Sequence, residues 1–206
     1  MTPRLDVELV RRGLSRSRAA AQAAIAAGTV VVNEVVTTKP STGIKETDRI
    51  AVSLVDRFVS RAAHKLLFAL EDSGIAVAGR VLDAGASTGG FTQVCLEEGA
   101  ERVYAVDVGH GQLAESLRHD PRVSVLERTN LRHLTLEHLD GEQVDLVVAD
   151  VSFISLTLLV GPLLGVLRPD GTALLLVKPQ FEVGRGGLDG HGIVRDEPAR
   201  RAAVAR

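Results

Sequence analysis

Val81-Leu82-Asp83-Ala84-Gly85-Ala86-Ser87-Thr88-Gly89-Gly90-Phe91 decides the fold of this chain. The apolar pair reads as a buried strand, the glycines after it as a loop, and a helical pattern then continues through Leu96. Such a loop lets a ligand approach the backbone closely, and the free N–H groups that open the helix face a negative or electron-rich group. A nucleotide-type cofactor is the natural occupant. A dinucleotide fingerprint requires G-x-G-x-x-G, and Ser87 stands at its second glycine position, which disfavours nicotinamide.

Downstream, Val103-Tyr104-Ala105-Val106 reads as the next strand, with Asp107 at its end. An acidic residue placed there normally receives ribose hydroxyls. The competing reading makes Asp107 the first residue of a turn before Gly109. Further strands are expected at residues 123–127, 144–149 and 172–177, with helical stretches between them. The alternation specifies an α/β, doubly wound, Rossmann-like sheet. Ligands of such sheets lie beyond the carboxyl ends of the strands, so Asp83, Asp107, Asn130, Asp150 and Lys178 are expected to share one pocket. Asn130 either sits beside an adenine there or is an ordinary turn residue.

The first third of the chain is organised differently. Leu5, Leu9 and Val10 recur at helical spacing before Gly13, and Ser15 or Ser17 can cap a second helix over residues 18–27 with Ile25 facing inward and Gly28 as its stop. Short β-rich runs follow at residues 29–33, 35–36 and 49–52. A small α+β domain results. Arg4, Arg11, Arg12, Arg16 and Arg18, with Ser15, gather about the two helices, where basic groups and helix amides suit phosphate oxygens. A solvated basic face on a structural domain is the alternative.

Composition agrees with two unequal globular domains: 45% of the 206 residues are hydrophobic and 24% charged. The net charge of −2 hides an asymmetry, because residues 1–65 carry 11 Lys and Arg against 6 Asp and Glu. A compact basic module beside an acidic one points to a polyanionic partner. The lone Cys95 excludes a disulfide framework within the chain, and His64, His110 and His133 lack metal-ligand spacing, so no metal is expected. The N-terminus shows no apolar signal core, and the uncharged stretch at 151–167 is broken by Ser152, Ser155, Gly161, Pro162 and Gly165. That stretch is expected to form a helix packed on the sheet, and the protein to reside in the cytoplasm away from membranes.

Two resemblances sharpen this reading. Arg4-Leu5-Asp6, Gly13, Ser15-Arg16, Ala20, Ile25, Gly28, Val30, Val32-Asn33 and Asp48 together resemble the RNA-binding domain first described in small ribosomal subunit protein four. Glu34 departs from it, since many members carry glycine after the asparagine, so an altered hairpin is expected there. Asp83 to Phe91 resembles the S-adenosylmethionine loop of methyltransferases. Asp150-Val151-Ser152-Phe153 and Lys178-Pro179-Gln180-Phe181-Glu182 are similar to the hemolysin A (TlyA) family, in which such an RNA-binding domain precedes an FtsJ-like methyltransferase domain. The implied organisation is an RNA-binding domain over residues 1–56, a connecting segment over 57–64 and a methyltransferase domain over 65–206.

The resemblance implies S-adenosylmethionine as cofactor, held by Asp83, Gly85, Ala86, Ser87, Thr88, Gly89, Gly90, Phe91, Asp107, Asn130 and Asp150, with ribosomal RNA or ribosomal subunits as partner. It also implies a Lys-Asp-Lys-Glu tetrad for ribose 2'-O-methylation, whose first three members fall on Lys65, Asp150 and Lys178. A ribose hydroxyl is a poor nucleophile near neutral pH, so a base must take its proton as the oxygen attacks the methyl group in line. Lys178 is the candidate base. A second cation, Lys65, or desolvation would favour its neutral form, the charge of Asp150 opposes this, and Asp150 would orient both amines.

The family continues with two more strands and a fourth tetrad glutamate, so a fragment or truncated product is expected, with activity of this exact chain in question. Glu182 lies too near Lys178 in sequence to stand in for that glutamate. An RNA-binding protein with an inactive methyltransferase-like domain and a membrane-lytic hemolysin are the alternative functions. No stable protein partner is expected, and the sequence leaves the oligomeric state and target nucleotide open.

Overall fold

The computed structural model describes residues 2–15, 17–52, 58–184 and 187–205. The chain divides into two compact units, Met1–Arg57 and Phe58–Arg206. Residues 58–64, read from sequence as a connecting segment, pack within the second unit, where Phe58 and Ala63 join the core.

In the first unit, α1 (Leu5–Arg11) and α2 (Arg18–Ala26) are followed by β1 (Val30–Val32), β2 (Val35–Val36) and β3 (Ile50–Val52), an antiparallel sheet in the order β2-β1-β3. Ser17 caps α2 by accepting a hydrogen bond from the Ala20 amide, and Leu5, Leu9, Ala21, Ile25, Val30 and Ile44 form the core. Val32 pairs with Val35 across a two-residue loop, and Asn33 and Glu34 both take positive φ, 48° and 69°. Glu34 itself accepts the left-handed conformation that glycine would adopt without strain. Asn33 then ties the hairpin to the segment before β3: its amide donates to Asp48 (2.9 Å) and its carbonyl accepts from the Arg49 amide (2.9 Å).

The second unit runs α3 (Ala63–Ser73), β4 (Arg80–Ala84), α4 (Gly90–Glu98), β5 (Arg102–Val106), α5 (Glu115–Arg118), β6 (Val123–Leu126), β7 (Val144–Ala149), α6 (Val160–Gly165), β8 (Leu167–Leu175), α7 (Pro179–Glu182) and α8 (Glu197–Val204). Its five strands are parallel in the order β6-β5-β4-β7-β8. Because side chains alternate across a sheet, Val81 enters the core shared with α3 and α4, while its neighbour Leu82 enters the core on the opposite face with Leu163. The strand order reverses between β4 and β7, which opens a crevice beyond their carboxyl ends.

Two expectations need correction. The fifth strand begins at Leu167 rather than at 172, because Arg168-Pro169-Asp170-Gly171, turn-like in composition, forms an irregularity inside β8 where the register against β7 shifts. The stretch 151–167 is not one helix: it holds a 3-10 turn (Leu156–Leu158) capped by Ser155 and the short α6, which takes Gly161, Pro162 and Gly165 within it. Among the described residues, no helix is long and apolar enough to cross a membrane.

Candidate active site

Gly85, just past β4, takes φ 88°, and a Cβ there would stand 3.2 Å from Val151 Cγ1 and 3.3 Å from the Asp150 carbonyl. Glycine therefore lets the loops after β4 and β7 touch. Ser87, also at positive φ, donates its amide to Asp107 Oδ2 (2.9 Å), while the Gly109 amide donates to Asp107 Oδ1 (2.7 Å). Asp107 thus holds the glycine-rich loop from the end of β5, and each oxygen keeps a lone pair for a further donor.

A cavity of about 370 Å³ opens at this point, within the usual range for small-ligand sites. Gly85, Ser87, Asp107, Asn130 and Asp150 supply its polar wall, and Val108, Leu131, Ile154 and Leu159 an apolar one. Asn130 lines the cavity and also caps the 3-10 turn Leu131–His133 through the Arg132 amide (3.1 Å). A second cavity of about 170 Å³ is lined by Ala86, Thr88, Gly90, Phe91 and Lys178 among others. Gly85, Ser87, Asp150 and Ser152 belong to both walls.

Asp83 lies elsewhere. It is buried beneath the loop, outside both cavity walls, and accepts a 2.6 Å hydrogen bond from Thr92 Oγ1 in α4. Burial pushes its carboxyl up to about 7 against the lowering effect of Thr92. Asp83 accordingly anchors the helix to the strand. Gly89 is likewise absent from both walls, and its φ of 97° serves the turn into α4.

The three residues expected to carry the chemistry meet. Asp150, just past β7, receives Lys65 Nζ from α3 on Oδ2 at 2.9 Å and Lys178 Nζ from the end of β8 on Oδ1 at 2.7 Å. Lys178 is 18% exposed and Lys65 49%. Burial alone would raise the Asp150 carboxyl, but hydrogen bonds and charge from the two lysines outweigh it and hold the group below its ordinary value. Asp150 is the anion between two amines.

Sequence reasoning missed several neighbours. Ser152 accepts a 2.6 Å hydrogen bond from Lys178 Nζ. Gln112 accepts from the Ser87 hydroxyl at 3.2 Å, and as one polar residue in a loop it carries no sequence signal. Phe153 is 91% exposed at φ 64° and packs against Phe181, ring centroids 5.3 Å apart. Glu182 is buried and accepts from Ser155 Oγ (2.5 Å) and the Leu156 amide (2.9 Å), so it fastens the segment after β8 to the one after β7.

In the first unit, Arg4 and Arg18 pair with buried Asp6, each at 2.9 Å, and Arg11 and Arg12 with buried Glu8 at 2.6 and 2.9 Å. Arg12 also donates to the carbonyls of Asp48 (2.7 Å) and Lys45 (3.0 Å), which gives it a structural duty unread in the sequence. Arg4, Arg11 and Arg18 keep about half of their side-chain surface exposed. Ser15 donates to the Ser17 carbonyl at 3.1 Å, and Arg16 lies outside the described residues.

A parallel sheet ordered in this way, with a glycine-rich loop at its switch point and an acidic residue ending β5, defines a Rossmann-like methyltransferase joined to a small α+β unit. Residues 58–206 match the FtsJ-like methyltransferase model and residues 3–50 the S4 domain model, so the chain belongs to the FtsJ-like methyltransferase family, in the branch that carries an N-terminal S4 domain. It is 54% identical over 204 residues, 98% of this chain and 76% of the relative, to the 16S/23S rRNA (cytidine-2'-O)-methyltransferase TlyA of Mycobacterium tuberculosis. It is 43% identical to Hemolysin A of Brachyspira hyodysenteriae over 96% of this chain and 82% of that one. A solved structure from Streptococcus thermophilus that carries the name hemolysin superposes with a TM-score of 0.73 at 38% identity, covering 99% of this chain and 75% of that one.

Proposed function

We propose that this protein methylates a ribose 2'-hydroxyl of cytoplasmic ribosomal RNA with S-adenosylmethionine as donor. The observation that carries the reading is the Lys65–Asp150–Lys178 cluster, whose Asp150 lies on a wall common to two adjoining cavities and whose Lys178 lines the smaller of them. The residues present suit the donor. Asp107 retains acceptor capacity for ribose hydroxyls, the apolar wall of Val108, Leu131, Ile154 and Leu159 suits a base, and Gly85 leaves room for close approach to the backbone. When bound, S-adenosylmethionine supplies a methyl group on a sulfonium, whose carbon–sulfur electron pair returns to sulfur as the methyl departs.

The side chains do the rest. Lys178 Nζ takes the proton of the ribose hydroxyl, Asp150 holds both amines in place, and Lys65 offers positive charge to the oxygen as it becomes anionic. The exposed ring of Phe153, on the wall of the larger cavity, offers a face on which an unstacked base can rest. Exposed arginines of the first unit supply phosphate contacts that position the RNA without reading its sequence.

Tritiated methyl transfer to purified ribosomal subunits tests the reading. Wild-type protein is expected to transfer label to ribose, and Lys178→Ala to lose about 10²- to 10⁴-fold in rate, the usual contribution of a general base. Full transfer by Lys178→Ala would remove it as the base. Wild-type RNA binding without transfer would favour a binding module.

A further inference from the structure

We propose that Ser152 is a positioning residue that fixes the direction in which Lys178 receives the substrate proton. The inference rests on the reading of Lys178 as the base. A neutral lysine nitrogen has four tetrahedral directions: one to Cε, two to its remaining hydrogens and one to its lone pair. Ser152 Oγ at 2.6 Å takes one N–H in a directed hydrogen bond, and the charge of Asp150 Oδ1 at 2.7 Å, an ion pair without hydrogen-bond geometry, draws the second hydrogen and repels the lone pair. The lone pair is left in the fourth direction. With the Asp150 charge alone and no directed hydrogen bond, rotation about the Cε–Nζ bond exchanges the lone pair with a hydrogen, and the base points correctly only part of the time.

Place in the fold supports this role. Asp150 and Ser152 leave β7 two residues apart, and Lys178 arrives from the neighbouring strand β8, so the two acceptors grip the amine from one loop. Ser152 also lines both cavities, which sets its hydroxyl where donor and acceptor pockets adjoin. It is an exposed residue, so water can replace the lost acceptor in a variant but without fixed direction. The expected cost of removing the hydroxyl is therefore about tenfold, at the upper end for a hydrogen bond between neutral groups.

The test compares Ser152→Ala, Ser152→Thr and Lys178→Ala with wild type, using single-turnover methyl transfer to ribosomal subunits, KM for both substrates and the ¹H–¹⁵Nζ NMR signal of Lys178. The expected result is a tenfold fall in the transfer rate of Ser152→Ala at unchanged KM, with loss of the Lys178 signal to solvent exchange, and recovery of both in Ser152→Thr. If the alanine variant fails to fold, Ser152→Cys, whose sulfur is a weak acceptor, takes its place with the same expectation. A wild-type rate in Ser152→Ala, or equal impairment of the alanine and threonine variants, overturns the proposal. An active Lys178→Ala overturns the base reading and this inference with it, so the two failures are told apart.

Discussion

Gly90→Ala is the perturbation that separates geometry from stability in this fold. Gly90 opens α4, and a Cβ added there would stand 3.0 Å from the Ala63 amide nitrogen, 3.0 Å from Ser60 Cβ and 3.4 Å from Ala62 Cβ. These atoms belong to the start of α3 and the segment before it, and they cannot swing aside as the end of a long side chain would. Ala63 is fully buried, and Lys65 follows it by two residues. Overpacking costs about 1–3 kcal/mol, and the better helix propensity of alanine returns up to about 1 kcal/mol. The net loss is at most about 3 kcal/mol, or a fall in Tm of up to about 12 °C for a chain of this length.

The effect on activity is expected to be larger. The strain relaxes by moving α3, which carries Lys65 away from its 2.9 Å contact with Asp150, and a misplacement of about 1 Å can cost on the order of 100-fold in rate. Differential scanning calorimetry and single-turnover transfer, measured on the same preparation, give both numbers. A variant that melts several degrees lower yet transfers methyl at the wild-type rate would refute the coupling of α3 to the reaction. A variant that loses activity only in proportion to unfolded protein would refute it equally.

Three other outcomes are expected. Glu34→Gly relieves a left-handed side-chain residue and stabilises the β1–β2 hairpin by about 1 kcal/mol, seen as roughly fivefold slower exchange of the Thr37 amide that bonds Val30; unchanged exchange would refute the strain. Arg11, then Arg12, hold the Glu8 carboxyl down to about 2, so its contribution is present above about pH 4.5 and is lost as pH falls towards 2; Glu8→Gln should flatten the decline in Tm over that window, and an unchanged slope would refute it. Glu182→Gln replaces a carboxylate with a weaker acceptor for Ser155 and Leu156, and is expected to cost about 1 kcal/mol with a fall in transfer rate; an unchanged Tm and rate would show that the two segments need no fastening.

The sheet was largely legible because its strands are buried on both faces, which writes them as continuous apolar runs such as 146–149. β8 was read short because Pro169 and Gly171 signal a turn locally, while pairing with β7 resumes on both sides of them, at Leu167 and from Thr172. The junction of Lys65, Asp150 and Lys178 was legible by resemblance alone, since residues 85 positions apart in sequence give no local sign of a 2.9 Å contact. Asp83 shows the opposite case. The sequence places it at the end of a strand, where ligands gather, but only packing reveals that Thr92 covers it. Arg12 was read as a phosphate contact from its charge, and its bonds to two backbone carbonyls depend on a chain segment more than 30 residues away.

The wall common to the two cavities restricts how such an enzyme can be retuned. A donor analogue with a bulkier transferable group needs space where the pockets adjoin, and Gly85, Ser87, Asp150 and Ser152 are the residues there. Gly85 has no side chain to trim, Ser87 is bound to Asp107 through its amide, and Asp150 and Ser152 hold Lys178. Enlarging the pocket for one substrate therefore loosens the chemistry performed on the other. Altered donor specificity would have to come from the apolar wall of Val108, Leu131, Ile154 and Leu159, where a side chain can shrink without releasing an amine.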